Sequence, residues 1–269
     1  MRQGYGRPMS PFSAIGRSGL PLVTTAIHAG HDLRPEVAEA MALDEATRLR
    51  EEDPFTERLT AAGGVPVVVH RSRFEVDLNR PREGAVYTTP DTAWGLDVWG
   101  GATPPDALVA RSLALYDDFY ASMAMLLDDL ARQGSFLVLD LHSYNHRRDG
   151  AGAPPAPAAE NPEINVGTGT VDRDRWSAVS DGFMEALRQQ RVAGHHLDVR
   201  ENVRFQGGQL SRWVNERYEG TGVALAIECK KVFMDEWTGE LDEVHLGSLL
   251  DALRAAVPVA LGQLAVSVR

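Results

Sequence analysis

The stretch SFLVLDLHS, residues 135–143, decides the fold. Phe136, Leu137, Val138, Leu139 and Leu141 form an apolar run with no solvated face, opened by the helix-stopping Gly134. A short continuous run of this kind reads as a strand covered on both sides. It passes directly into His142. Two other runs share this design. PLVTTAI, residues 21–27, is followed at once by His28, and VALAI, residues 223–227, by Glu228. Between these runs the spacing changes to that of helices. Over residues 108–132, Leu113, Tyr116, Tyr120, Met123, Leu127 and Leu130 fall at three- and four-residue steps. Arg175–Arg191, Gln209–Tyr218 and Val244–Gln263 also read as helices. Strands alternating with helices predict an α/β layered domain with a largely parallel sheet, in which ligands bind beyond the carboxyl ends of the strands.

Outside that frame, Pro35–Leu49 reads as a helix with proline in its first turn. Val65–His70 and Arg73–Leu78 read as two strands. In the second, Phe74, Val76 and Leu78 alternate with Arg73, Glu75 and Asp77, as on a strand with two unlike faces. Leu197–Val203 reads as a further short strand. Residues 81–105 form a long irregular connection, a class that is often functional. Residues 149–162 read as a solvated loop or a lid beside the site. Residues 1–19 are expected to be a flexible arm and residues 20–269 a single domain.

Composition narrows the function classes. The 269-residue chain carries a formal net charge of −11, which argues against nucleic acid and anionic membrane as partners. Its one cysteine, Cys229, excludes an internal disulfide and fits a reducing cytoplasm. No apolar stretch reads as a signal peptide or a membrane span.

His28, His142 and Glu228 end three strands far apart in sequence, so the topology would bring them to one edge. Two imidazoles and a carboxylate are the usual protein ligands of a catalytic zinc. His28 and His142 supply the imidazoles. For the third ligand, His31, Glu52 and Asp53 are all candidates, Asp53 having the alternative of capping a helical turn at Pro54. SRFEVDLNR, residues 72–80, supplies Arg73, Asn79 and Arg80, side chains suited to gripping a carboxylate. His146, Arg147 and Arg148 either bind substrate anions or solvate a loop. Asn165–Gly169 reads as a tight turn whose amides could face the site. His70, His195 and His196 read as structural.

HAG at 28–30, SRFEVDLNR at 72–80, DLHS at 140–143, NVGT at 165–168 and AIE at 226–228 together resemble the N-formylglutamate amidohydrolases, in consistent order over roughly residues 20–235. DLNR followed about sixty residues later by DLHS is the more specific part. The resemblance implies kinship with zinc carboxypeptidases and aspartoacylases and their three-layer sandwich, a central mixed sheet between helical layers. It implies one zinc, or another divalent metal, per chain. It implies that Asn79 and Arg80 grip the substrate carboxylate with help from Arg73, and that Glu228 is the general base. The carboxypeptidase relatives carry glutamate where this chain has His31, and the closer formylglutamate relatives point to Asp53 as the third ligand. The expected activity is hydrolysis of the N-acyl, here formyl, amide of a small anionic N-acyl amino acid such as N-formyl-L-glutamate. A deacylase or carboxypeptidase acting on another N-acyl amino acid or short peptide is the neighbouring alternative. A non-catalytic binder of an acidic metabolite is the alternative of another class.

Overall fold

The computed structural model describes residues 11–14 and 18–267. In chain order the strands are β1 (Phe12–Ala14), β2 (Leu22–Ala26), β3 (Val65–Val69), β4 (Phe136–Tyr144), β5 (Ile164–Gly167), β6 (Arg191–Val192), β7 (His195–His196), β8 (Val199–Glu201) and β9 (Gly222–Lys230). The helices are α1 (Pro35–Ala40), α2 (Glu45–Glu51), α3 (Thr56–Leu59), α4 (Asp106–Ala131), α5 (Arg173–Arg188), α6 (Gln209–Arg217) and α7 (Glu243–Val266). Seven strands form one sheet in the order β1-β3-β2-β4-β9-β5-β8. The central strands β3, β2, β4 and β9 are parallel. β1 joins antiparallel to β3, β5 antiparallel to β9, and β8 parallel to β5. The sheet is thus mixed and largely parallel between helical layers, as predicted.

Alternation along β4 sorts the two layers. Leu137, Leu139 and Leu141 face a core that also holds Val179 and Phe183 of α5 and Leu249 and Leu253 of α7. Phe136 and Val138 face the other core, with Phe119 and Met123 of α4 and Leu210 and Val214 of α6. This second face turns polar as the strand proceeds, at Asp140 and His142. The change from apolar to polar on one face is what places a site at the carboxyl end of the sheet.

Several expectations are corrected here. Residues Phe12–Ala14, assigned to the flexible arm, are an edge strand; residues 1–10 and 15–17 lie outside the described residues. Pro35–Leu49 is two helices, because Ala42 gives its N–H to Val98 O (2.8 Å) and the Asp44 side chain starts α2 by accepting from Thr47 N. Arg73–Leu78 is a series of turns. Its alternation reflects no solvated face, since Glu75 and Asp77 are as buried as Phe74; Arg34 satisfies Glu75 through Nε, and Arg73 satisfies Asp77. The C-terminal helix α7 is long and apolar enough to span a membrane by length and composition, which the count of apolar residues passed over. Its Leu246, Leu249, Leu253, Val257 and Leu264 belong to the core against the sheet and α5. Each fully buried leucine contributes roughly 1.5–3 kcal/mol there.

Candidate active site

His28 follows β2, and its loop must pass tightly over the end of β3. A Cβ on Gly30 would lie 2.2 Å from the carbonyl carbon of His70, so only glycine fits. The loop is pinned by Asp32 N donating to His70 O (3.0 Å) and by Asp53 N donating to His28 O (2.9 Å). The second bond draws the segment carrying Asp53 beside His28. His142 and Glu228 are register partners on the parallel pair β4–β9, so their side chains project from the same face. Both strands continue two residues beyond them, so these residues stand near the strand ends and not at them.

The four groups meet in a cavity of about 350 Å³ whose lining includes His28, Asp53, His142 and Glu228. His142 Nδ1 lies 3.0 Å from Asp53 Oδ2, and His28 Nδ1 lies 3.5 Å from the same oxygen. Ligand atoms of His28, Asp53 and His142 all fall within 4.8 Å of one another.

Behind each imidazole stands a carboxylate. His28 Nε2 donates to Asp77 Oδ1 (2.7 Å). His142 Nε2 is 3.1 Å from Asp140 Oδ2, and Asp140 Oδ1 accepts from Thr25 Oγ1 (2.7 Å). A carboxylate hydrogen-bonded to the outer ring nitrogen, as Asp77 is to His28, fixes the tautomer and turns the inner nitrogen toward a metal. His28 Nδ1 is buried and has no hydrogen-bond partner among the described residues. An unpartnered buried acceptor beside a carboxylate is what a bound cation would satisfy. Tetrahedral ligands bound at about 2.1 Å stand about 3.4 Å apart, close to the 3.0 and 3.5 Å found from the two imidazoles to Asp53. The residues present therefore fit a divalent ion.

Electrostatics point the same way. Burial pushes Asp53 up, but the hydrogen bond from His142 and the nearby His28 ring outweigh it and hold the carboxyl well below its usual range. Burial opposes charge on His142, yet Asp140, Asp53 and Glu228 raise its pKa well above the usual value. The carboxylates thus draw positive charge into the centre. Burial pushes Glu228 up to about 7, with Asp53 and Asp140 adding to the rise and His142 opposing it.

The three candidates for third ligand separate cleanly. Asp53 does not cap a helix; α3 has Phe55 at its N-cap and no side-chain cap. Glu52 is turned away, accepting from Ser72 Oγ and pairing with His31 Nδ1. His31 lies outside the group, held between Glu52 and Arg48.

Arg73 lines the cavity, with one Nη donating to Asp77 Oδ2 (2.8 Å) and the guanidinium over Trp94. Burial opposes its charge, but Asp77 and Tyr87 keep it firmly protonated. Asn79 also lines the cavity, but its amide is largely engaged: Oδ1 accepts from Leu210 N (3.1 Å) at the start of α6, and Nδ2 lies 3.3 Å from His142 Nε2. Gly208 accommodates it, since a Cβ there would sit 2.3 Å from that amide. Arg80 stacks on Tyr87 and Trp94, beyond the residues that line the cavity. Arg148 does line it, paired with Glu51 (3.5 Å), whereas Arg147 lies toward Asp235. Cys229 is buried on the opposite face of β9, where burial pushes its thiol up.

Asp77, Asp140 and Lys231 carry no role among the residues expected from the sequence. Asp140 was within reach, two residues before His142 on the same strand face. Lys231 is fully buried and donates to Arg50 O and Glu52 O (both 2.6 Å), pinning the chain just ahead of Asp53; burial pulls it down to about 8. Asp77 collects His28, Arg73, Tyr87 and Asn79 N. Asp77→Asn should therefore weaken metal binding about 10- to 100-fold, measured by competition with a chromophoric chelator; unchanged affinity would contradict its orienting role.

Residues 20–234 match the family model described as N-formylglutamate amidohydrolase. The N-formylglutamate deformylase of Pseudomonas aeruginosa is 25% identical over 264 residues, covering 93% of this chain and 94% of that protein. The N-formylglutamate amidohydrolase structure from Ralstonia eutropha JMP134 has the same fold, with a TM-score of 0.72 at 19% identity over 94% of this chain and 97% of that one. A gene product of Agrobacterium tumefaciens is similar at a TM-score of 0.60 and 16% identity, over 90% and 92% of the two chains.

Proposed function

The chain belongs to the N-formylglutamate amidohydrolase family, and from that premise we propose that it is a zinc-dependent hydrolase of the formyl amide of N-formyl-L-glutamate. Water and substrate give formate and L-glutamate. The observation that carries this reading is the convergence of His28, Asp53 and His142 in one buried group, with Glu228 in register beside His142.

His28, Asp53 and His142 hold the ion, and two imidazoles with one carboxylate suit zinc. When bound, the ion supplies Lewis acidity and lowers the pKa of water toward about 7. Glu228 takes the proton of the attacking water as the new C–O bond forms. It then passes that proton to the glutamate nitrogen as the C–N bond breaks. Arg73, on the cavity wall, is assigned to stabilising the negative charge that develops on the carbonyl oxygen. Asn79 on the cavity wall, with Arg80 stacked on Tyr87 and Trp94 beyond it, is assigned to the α-carboxylate. We place the reaction in a reducing cytoplasm, where the lone Cys229 suits the compartment.

The test is formate release by the purified, zinc-loaded protein from N-formyl-, N-acetyl- and peptidyl-glutamate. We expect turnover of the formyl compound to exceed the others. Zinc binding with no hydrolysis of any of them would favour a non-catalytic binder.

A further inference from the structure

The cavity carries four cationic side chains, and three have their charge or protons committed. Arg73 is paired with Asp77 (2.8 Å) and Arg148 with Glu51 (3.5 Å), while Lys231 donates to two main-chain carbonyls. Arg204 differs. Among the described residues its guanidinium has no carboxylate partner; Nη1 donates to the neutral amide Asn161 Oδ1 (2.8 Å). Asn161 is itself buried and anchored through its Nδ2 to Pro157 O (2.9 Å). Arg204 is exposed at the cavity mouth and lies over the Tyr144 ring at 5.5 Å. It is therefore held in place without being neutralised.

The loop that carries it is fastened to the chemistry. Asn165 on β5 is the register partner of Glu228. Its Oδ1 accepts from Arg204 N (2.9 Å) and its Nδ2 donates to Phe205 O (2.8 Å). Tyr144, the ring under the guanidinium, stands two residues beyond His142 on the same face of β4, about 7 Å along the strand. In an N-formyl amino acid five bonds separate the formyl carbon from a glutamate side-chain carboxyl carbon, about 6 Å when extended. That reach is comparable to the offset from His142 to Tyr144, the residue whose ring lies under the guanidinium in the same cavity.

We propose that Arg204 is the residue that reads the substrate's side-chain carboxylate, with Asn165 positioning it relative to Glu228. This rests on the proposed deformylase reading for where the amide sits. A guanidinium–carboxylate pair at a partly exposed site changes affinity about 10- to 100-fold.

Two measurements separate the claims. Calorimetry on zinc-loaded E228Q compares binding of N-formylglutamate with N-formylglutamine, its isostere with an uncharged side chain, and is repeated with E228Q/R204Q. N-formylglutamate should bind about 10- to 100-fold more tightly to E228Q than N-formylglutamine does, and R204Q should erase the difference by weakening N-formylglutamate alone. A preference that survives R204Q, or an equal loss for both ligands, overturns the assignment. Formate release by the wild-type enzyme reports separately on the deformylase reading. If none is released while the binding preference still depends on Arg204, the activity assignment fails and the subsite stands.

Discussion

Glu228→Gln is expected to lower turnover about 10²- to 10⁴-fold while leaving the bound metal and the fold in place. Glutamine fills the same space in β9, between neighbours that are fully buried on either side, so the change removes only the capacity to take and return a proton. The carboxylate stands beside His142 in register and burial lifts it to about 7, which suits a group that must gain and lose a proton. Lys231 is the other cavity side chain brought toward neutrality, at about 8, but two of its protons are engaged by Arg50 O and Glu52 O. Turnover within tenfold of wild type, with zinc retained, would remove Glu228 as the base.

The second large effect is on the metal itself. His142→Ala removes one imidazole from a three-member group and leaves Asp53 and Asp140 facing a gap. We expect the purified variant to retain less than about a tenth of the wild-type metal by elemental analysis, and to release no measurable formate. Stripping the wild-type protein with a chelator should abolish activity, and added zinc should restore it, because the ligand set is preserved. Full metal content in His142→Ala would place the ion elsewhere.

The strands and the long helices were legible because their residues answer to local rules. Apolar runs bounded by glycine or proline marked β2, β4 and β9, and period-3.6 spacing marked α4, α5 and α6. His28, His142 and Glu228 were legible as polar residues at the exits of such runs. Failure came where tertiary partners override local pattern. Arg73–Leu78 alternates like a strand only because its charged residues are buried against Arg34 and Arg73. The choice among His31, Glu52 and Asp53 could not be made locally, since it depends on Ser72 and His31 capturing Glu52 from other segments. Lys231 and Arg204 carried no signal of their own. One looks like a surface lysine after a strand, the other like a loop arginine, and only their neighbours from residues 50–52, 144, 161 and 165 give them a place.

The central claim is that His28, Asp53 and His142 share one ion beside Glu228, and anomalous X-ray scattering at the zinc edge from crystals of zinc-loaded protein tests it most directly. We predict one strong peak bonded to Nδ1 of His28, Nδ1 of His142 and a carboxylate oxygen of Asp53, at about 2.0–2.2 Å from each. A peak held instead by His31 and Glu52, or no peak between the two imidazoles, would contradict the account.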